Sequence, residues 1–191
     1  MITSQTIPGA AMNVFSHRLA TNADITALAA LMNAAIGELL PAHLTSAQVA
    51  ASFEIMGLDS QLIEDATYFI VECDGVLAGC GGWSRRATHF GGDHSPGRDA
   101  RLLDPATDAA RVRAMYTNPA FARRGIGRLI LDLCEAAAAR AGFARVALVA
   151  TMAGLPLYRA CGYEDVEGFE QATKSGIAVP MMRMTKRIAA P

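Results

Sequence analysis

The sequence predicts an α/β domain, and three observations carry that prediction. Segments with strand and helix periodicity alternate along the chain, with no internal repeat and no linker between them. YFIVECDGVLAGCGGW, residues 68–83, reads as a hairpin: two β-rich runs flank Asp74-Gly75, the pair a two-residue type I′ turn prefers. FARVALVA, residues 143–150, is nearly continuous apolar sequence between two helical segments, as in a strand covered on both faces.

The elements follow in order. VFSHRLA, residues 14–20, reads as a short strand, and Asn22 or Asp24 then offers a helix N-cap. Ile25, Leu28, Leu31, Met32, Ala35 and Leu39 recur at helical spacing before Pro41 stops the helix. Thr45 with Gln48 is a capping-box pattern that opens a second helix running to Gly57, and Leu58 to Asp65 is a turn or a scrap of helix.

After the hairpin, Ser84 to Thr107 is polar and Gly-rich without periodicity. It is an excursion loop of a length that compact domains usually keep for function. ARVRAMYT, residues 110–117, is a strand with Val112, Ala114 and Tyr116 expected on one face. Ile126, Ile130, Leu133, Cys134, Ala137 and Ala141 mark the buried stripe of a helix that Gly142 ends. Leu155 to Cys161 is a short helix with Pro156 in its first turn. Strands near Tyr163–Phe169 and Val179–Arg187 complete the sheet, the methionines of PMMRMTK filling the core.

Composition narrows the function. The chain has 191 residues, 52% hydrophobic and 18% charged, which suits one globular domain with a sizeable core. A net charge of −1 gives no electrostatic footprint for nucleic acid or an anionic membrane. Cys73, Cys80, Cys134 and Cys161 are scattered and read as small buried residues of a reducing compartment. The first 13 residues, without a basic n-region or apolar h-region, read as a flexible tail, and the expected location is cytoplasmic.

The chemistry concentrates in NPAFARRGIGRLIL, residues 118–131. A strand, a loop with two glycines and three arginines, then a helix can bind pyrophosphate. The first turn of a helix leaves N–H groups unpaired, and its dipole favours an anion. Gly125 and Gly127 admit close backbone approach, while Arg123, Arg124 and Arg128 add charge-assisted bonds. It is neither a Walker loop, lacking G-K-[ST], nor a dinucleotide fingerprint, whose third glycine is Ile130 here. The same residues also fit a tight strand-to-helix turn with solvated arginines.

Together, ARVRAMYT, NPAFARRGIGR, the helix, VALVAT and AGLPLYRACGY resemble the GNAT superfamily of acyl-CoA-dependent N-acyltransferases. The likeness extends over residues 14–188 as one domain and is most specific between 110 and 163. It implies a mixed central sheet of about six to seven strands with helices on both faces. It further implies acetyl-CoA as cosubstrate, no metal, direct transfer in a ternary complex and a small primary amine as acceptor. Dimers are common in that family, so a homodimer is compatible.

By position, the resemblance assigns cofactor binding to Met115, Tyr116 and Thr117 and to the loop Arg123, Arg124, Gly125, Ile126, Gly127 and Arg128. A backbone N–H at Met115 or Tyr116 would polarise the thioester carbonyl. Tyr158 aligns with the tyrosine that protonates the departing thiolate, although an amphipathic core tyrosine would look the same. Ala122 departs from the family pattern, which has Gln or Arg there. Glu72, His89, Asp93 and His94 are alternative bases, and Trp83, Arg85 and Arg86 are either pocket residues or core and surface. A non-catalytic acyl-CoA sensor and a protein acetyltransferase are the competing functions.

Overall fold

The computed structural model describes residues 15–189, so the tail expected at residues 1–13 lies outside the described residues. In chain order the elements are β1 (Phe15–Leu19), α1 (Ile25–Leu39), α2 (Ser46–Ser52), α3 (Ser60–Glu64), β2 (Tyr68–Cys73) and β3 (Val76–Ser84). They continue with β4 (Ala110–Thr117), α4 (Ile126–Arg140), β5 (Arg145–Thr151), α5 (Leu155–Ala160), β6 (Glu164–Gln171) and β7 (Val179–Arg187). One mixed sheet runs in the order β1-β2-β3-β4-β5-β7-β6. Every neighbouring pair is antiparallel except β4 and β5.

Local signals explain most boundaries. Asp74 and Gly75 both take positive φ, 51° and 75°, which the predicted I′ turn requires. The second helix ends sooner than Gly57: α2 stops at Ser52, and the helical scrap is α3. The N-cap of α1 is Asp24, one of the two predicted positions, and Thr21 caps the single 3-10 turn before it: Thr21 N–H donates to Asp24 Oδ2 at 2.8 Å, while Arg18 grips the same carboxylate at 2.8 and 2.9 Å.

The sheet separates two cores. On one face α1 buries Leu28, Leu31, Met32, Ala35 and Ile36 against Tyr68, Ile70, Cys80 and Tyr116. On the other, α4 lays Ile126, Ile130, Leu131 and Cys134 onto Val71, Val112 and Val146. Each such large side chain contributes about 1.5–3 kcal/mol on burial. The stripe of α4 is rotated from the predicted one: Leu131 and Ala138 are buried, Leu133 is half-buried and Ala141 is exposed.

Two irregularities open the centre of the sheet. First, the β3–β4 register shifts between Cys80 and Gly82, and Ala114 sits at φ 50°, a conformation costly for a residue with a Cβ. The bulge reverses the alternation, so Val112 joins the α4 core while Tyr116 joins the α1 core. The expectation of one shared face for Val112, Ala114 and Tyr116 is thus corrected. The fully buried Tyr68 donates its hydroxyl to the Ala114 carbonyl at 2.8 Å and pins the distortion.

Second, the parallel pairing of β4 with β5 is confined to Ala110↔Val146 and Arg111↔Ala147. Beyond it the strands splay, and β4 from Val112 to Thr117 keeps an unpaired edge towards β5. β5 is therefore not covered on both faces: Val146, Leu148 and Ala150 are buried, whereas Ala147, Val149 and Thr151 are half-buried.

Candidate active site

The splay creates a small cavity lined by Gly57, His89, Arg113, Tyr116, Val149 and Tyr158, among others. It lies between the C-terminal halves of the two parallel strands, towards the end at which open α/β sheets commonly bind ligands. Met115 also lines it, so the bulged backbone of β4 forms one wall.

At the end of β4, Asn118 caps a turn by accepting from Ala120 N at 3.0 Å, and the chain enters the glycine loop. Arg123 (φ 64°) and Gly125 (φ 87°) both take left-handed backbone. Gly125 is the N-cap of α4 and supplies no side-chain cap. Among the described residues, no amide from Arg123 to Arg128 donates a hydrogen bond within the chain; the first to do so is Leu129 N, to Gly125 O. These donors converge at the positive end of a 15-residue helix, an arrangement suited to an anion.

The two glycines have different reasons to be there. A Cβ on Gly125 would meet nothing within 4 Å, so its requirement is the left-handed φ and the open space in front of it. A Cβ on Gly127 would stand 2.6 Å from Leu157 Cδ2, so this glycine lets α4 pack close to α5. The arginines also divide. Arg128 reaches the Ala160 carbonyl at 3.1 Å, Arg124 lies 5.3 Å over the Phe121 ring, and Arg123 is exposed.

Tyr158 projects from α5 into the cavity, held against Tyr163 with ring centroids 5.8 Å apart. Its side chain is almost completely buried, and burial pushes the phenol well above its ordinary value. It therefore carries its proton at neutral pH, the state a proton donor needs.

The alternative bases separate in space. Of the four, His89 alone lines the cavity. Glu72 is at an ion-pair distance of 3.3 Å from Arg18, His94 Nε2 bonds the Phe53 carbonyl oxygen at 3.1 Å, and Asp93 accepts from Ser60 N at 3.0 Å. Trp83 is core, edge-on to Phe143 at 6.2 Å, while Arg86 is bound to Asp65 at 2.7 Å and Arg85 is exposed. These three are not pocket residues.

Sequence reasoning missed the cluster behind the cavity. Asp59 is fully buried, with Arg113 Nη1 2.6 Å from Oδ2 and Arg98 Nη2 2.7 Å from Oδ1. Arg113 Nη2 also donates to the Gly91 carbonyl at 2.9 Å. The cluster ties the excursion loop and the segment before α3 to β4, shaping the cavity from three distant stretches of sequence. No spacing motif links residues 59, 98 and 113.

The chain's relatives agree with this architecture. The acetyltransferase (GNAT) family model matches residues 30–163. The GCN5-related N-acetyltransferase of Rhodopseudomonas palustris is 18% identical with a TM-score of 0.68, covering 94% of this chain and 100% of that one. The ribosomal-protein-alanine N-acetyltransferase of Brucella melitensis is 19% identical, TM-score 0.62, over 91% of this chain and 99% of its own. The yncA protein of Salmonella typhimurium, solved with acetyl-CoA, is 18% identical, TM-score 0.58, over 94% and 96%. No curated protein matches the chain. At these identities the structural likeness shows the fold, and the family match reaches further: this chain belongs to the acetyltransferase (GNAT) family.

Proposed function

We propose that the protein is a cytoplasmic, single-domain N-acetyltransferase that moves an acetyl group from acetyl-CoA to a primary amine of a small molecule. One observation carries the reading: the unpaired β4 edge and the buried Tyr158 line one cavity, and β4 leads from it through a short turn to the unpartnered amides from Arg123 to Arg128. The loop amides suit the pyrophosphate, with Arg123 and Arg124 in support. The free edge at Met115, Tyr116 and Thr117 suits the amide-bearing pantetheine arm, which can add to it as a strand would.

In the reaction, the neutral amine attacks the thioester carbonyl, an N–C bond forms and the C–S bond breaks. Strand β4 would supply an N–H, at Met115 or Tyr116, to the carbonyl oxygen. Tyr158 would give its proton to the departing thiolate, and the proton shed by the acylated nitrogen would restore the phenol through solvent. The cavity measures about 90 Å³, well below the ~300–1,000 Å³ of drug-sized sites. A cavity of that size holds only the reacting groups, and the small-acceptor reading is supported by the near-zero net charge of the chain, which offers no attraction for basic proteins.

The test is Tyr158→Phe, which keeps the ring packed on Tyr163. Acetyl-CoA binding should stay normal by calorimetry while turnover falls by about 10²–10⁴-fold. Unchanged turnover would remove Tyr158 from the mechanism. Tight acetyl-CoA binding with no transfer to any amine would instead support a sensor.

A further inference from the structure

Beside the cavity, next to its lining residues Val112 and Val149, stands positive charge that nothing in the reaction above uses. Arg111, two residues before Arg113, stands opposite Ala147 on β5, and Arg183 of β7 stands opposite Val149 on the same strand. Ala147 and Val149 are both half-buried, leaving an open floor of small side chains between the two arginines. His89 lines the cavity, and Phe90 beside it packs on Phe169 with centroids 6.3 Å apart. Arg183 lies over the same Phe169 ring at 4.7 Å, so the loop brings His89 to the arginine side of the cavity.

Arg111 is the telling residue. It is half-buried, yet among the described residues it makes no hydrogen bond and no ion pair, and its Nε is shut off from solvent without a partner. A guanidinium desolvated without a partner is costly. The acidic groups nearby do not remove the need. Asp108 attracts Arg111 without forming an ion pair with it, and Glu167 pairs with Arg183 at 3.1 Å as a surface-exposed contact worth little. Asp59 is committed to Arg113 and Arg98. The cavity lining contains no carboxylate that could receive a polycationic acceptor. Burial first, then the charges of Arg111, Arg183 and Arg113, disfavour protonation of His89, in keeping with the placement of these arginines near it.

We propose that the acceptor is a small amino acid-like amine, and that Arg111, supported by Arg183, binds its carboxylate beside the β5 floor. This rests on the acetyltransferase reading for the amine end of the molecule. The carboxylate end rests on Arg111. Along β5, Val149 opposite Arg183 and Ala147 opposite Arg111 lie about 7 and about 13 Å from Thr151 at the Tyr158 end, so Arg111 meets the carboxylate with its side chain extended along the floor towards Val149. A planar guanidinium is matched to a carboxylate by two parallel bonds, which a lysine cannot reproduce.

The experiment compares free L-amino acids with their own carboxamides, on the CoA-saturated protein by calorimetry and with acetyl-CoA by thiol release. At least one acid should bind about tenfold or more tighter than its amide, the loss expected for a charge-assisted bond. Arg111→Gln should erase that preference and raise the KM of the acid about tenfold or more, leaving the KM of acetyl-CoA unchanged. Arg111→Lys should restore part of it. Equal binding of acids and amides, or an unaltered preference in Arg111→Gln, overturns the proposal. Acetylation confined to peptides, with free amino acids inert, overturns it too. Arg111-dependent binding of an acid without any transfer upholds the carboxylate site and sinks the acetyltransferase reading instead.

Discussion

Arg113 Nη1 stands 2.6 Å from Asp59 Oδ2, both side chains almost wholly out of solvent, and this pair joins the active-site strand to the segment before α3. Removing one partner strands the other charge in a low-dielectric site. Asp59→Asn is therefore expected to destabilise the fold by about 3–5 kcal/mol. Arg113→Met should cost less than Asp59→Asn, because Arg98 still pairs with the carboxylate at 2.7 Å. Urea denaturation of both variants checks the order, and equal losses would contradict the shared role of Arg98.

Gly125 separates backbone strain from ligand approach. Its φ of 87° makes Gly125→Ala cost about 1–2 kcal/mol in stability, while the new Cβ clashes with nothing in the chain. If pyrophosphate occupies the space in front of it, acetyl-CoA affinity should fall by about tenfold or more. Calorimetry at wild-type affinity would show that the loop is a turn and not a cradle.

Gly127→Val should behave differently, since its Cβ would press on Leu157 between α4 and α5. Tyr158 follows Leu157, so this variant is expected to lower kcat through a displaced tyrosine and to lower Tm as well. Overpacking of this kind costs about 1–3 kcal/mol. A normal melting curve with normal kcat would refute the packing role.

His89 provides a pH signature. Burial first, then the charges of Arg111, Arg183 and Arg113, hold its titration below the ordinary histidine value of 6.5. A depressed folded-state value means the unfolded chain takes up the proton first. Stability is thus full above about pH 6.5 and declines as pH falls towards the folded value. Arg111→Gln removes a like charge and should move the His89 midpoint upward. A histidine NMR titration reads this directly, and an unmoved midpoint would place Arg111 too far away.

The thiols bear on covalent catalysis. Cys80 is buried and its thiol is pushed up to about 12, Cys73 and Cys134 are buried, and Cys161 is half-buried. Labelling of the native protein at pH 8 should modify Cys161 first, and the other three only on unfolding. Modification of Cys80 ahead of Cys161 in the folded protein would contradict this order and expose Cys80 as a reactive thiol.

Much of this was legible because it is local. The Asp74-Gly75 turn, the apolar stripe of α1, the strand at residues 110–117, the glycine loop and Tyr158 each depend on neighbours within a few residues. Their order alone fits one α/β architecture. Some local signals pointed the wrong way: an apolar run could not distinguish a strand covered on both faces from β5, which is covered on one and open on the other.

Sequence alone determined the elements, their order and the phosphate-cradle candidate at residues 123–128. Tertiary structure decided how β4 is used. The shift between Cys80 and Gly82 turned Tyr116 away from Val112, the splay after Arg111 opened the cavity, and Asp59 met Arg98 and Arg113 across 39 and 54 positions of sequence. It also brought His89 to the cavity and left Arg111 without a partner. The physical reason is that propensity and periodicity record what a residue does with its near neighbours. A bulge, a splay or a buried charge is settled by strands that meet only when the chain folds.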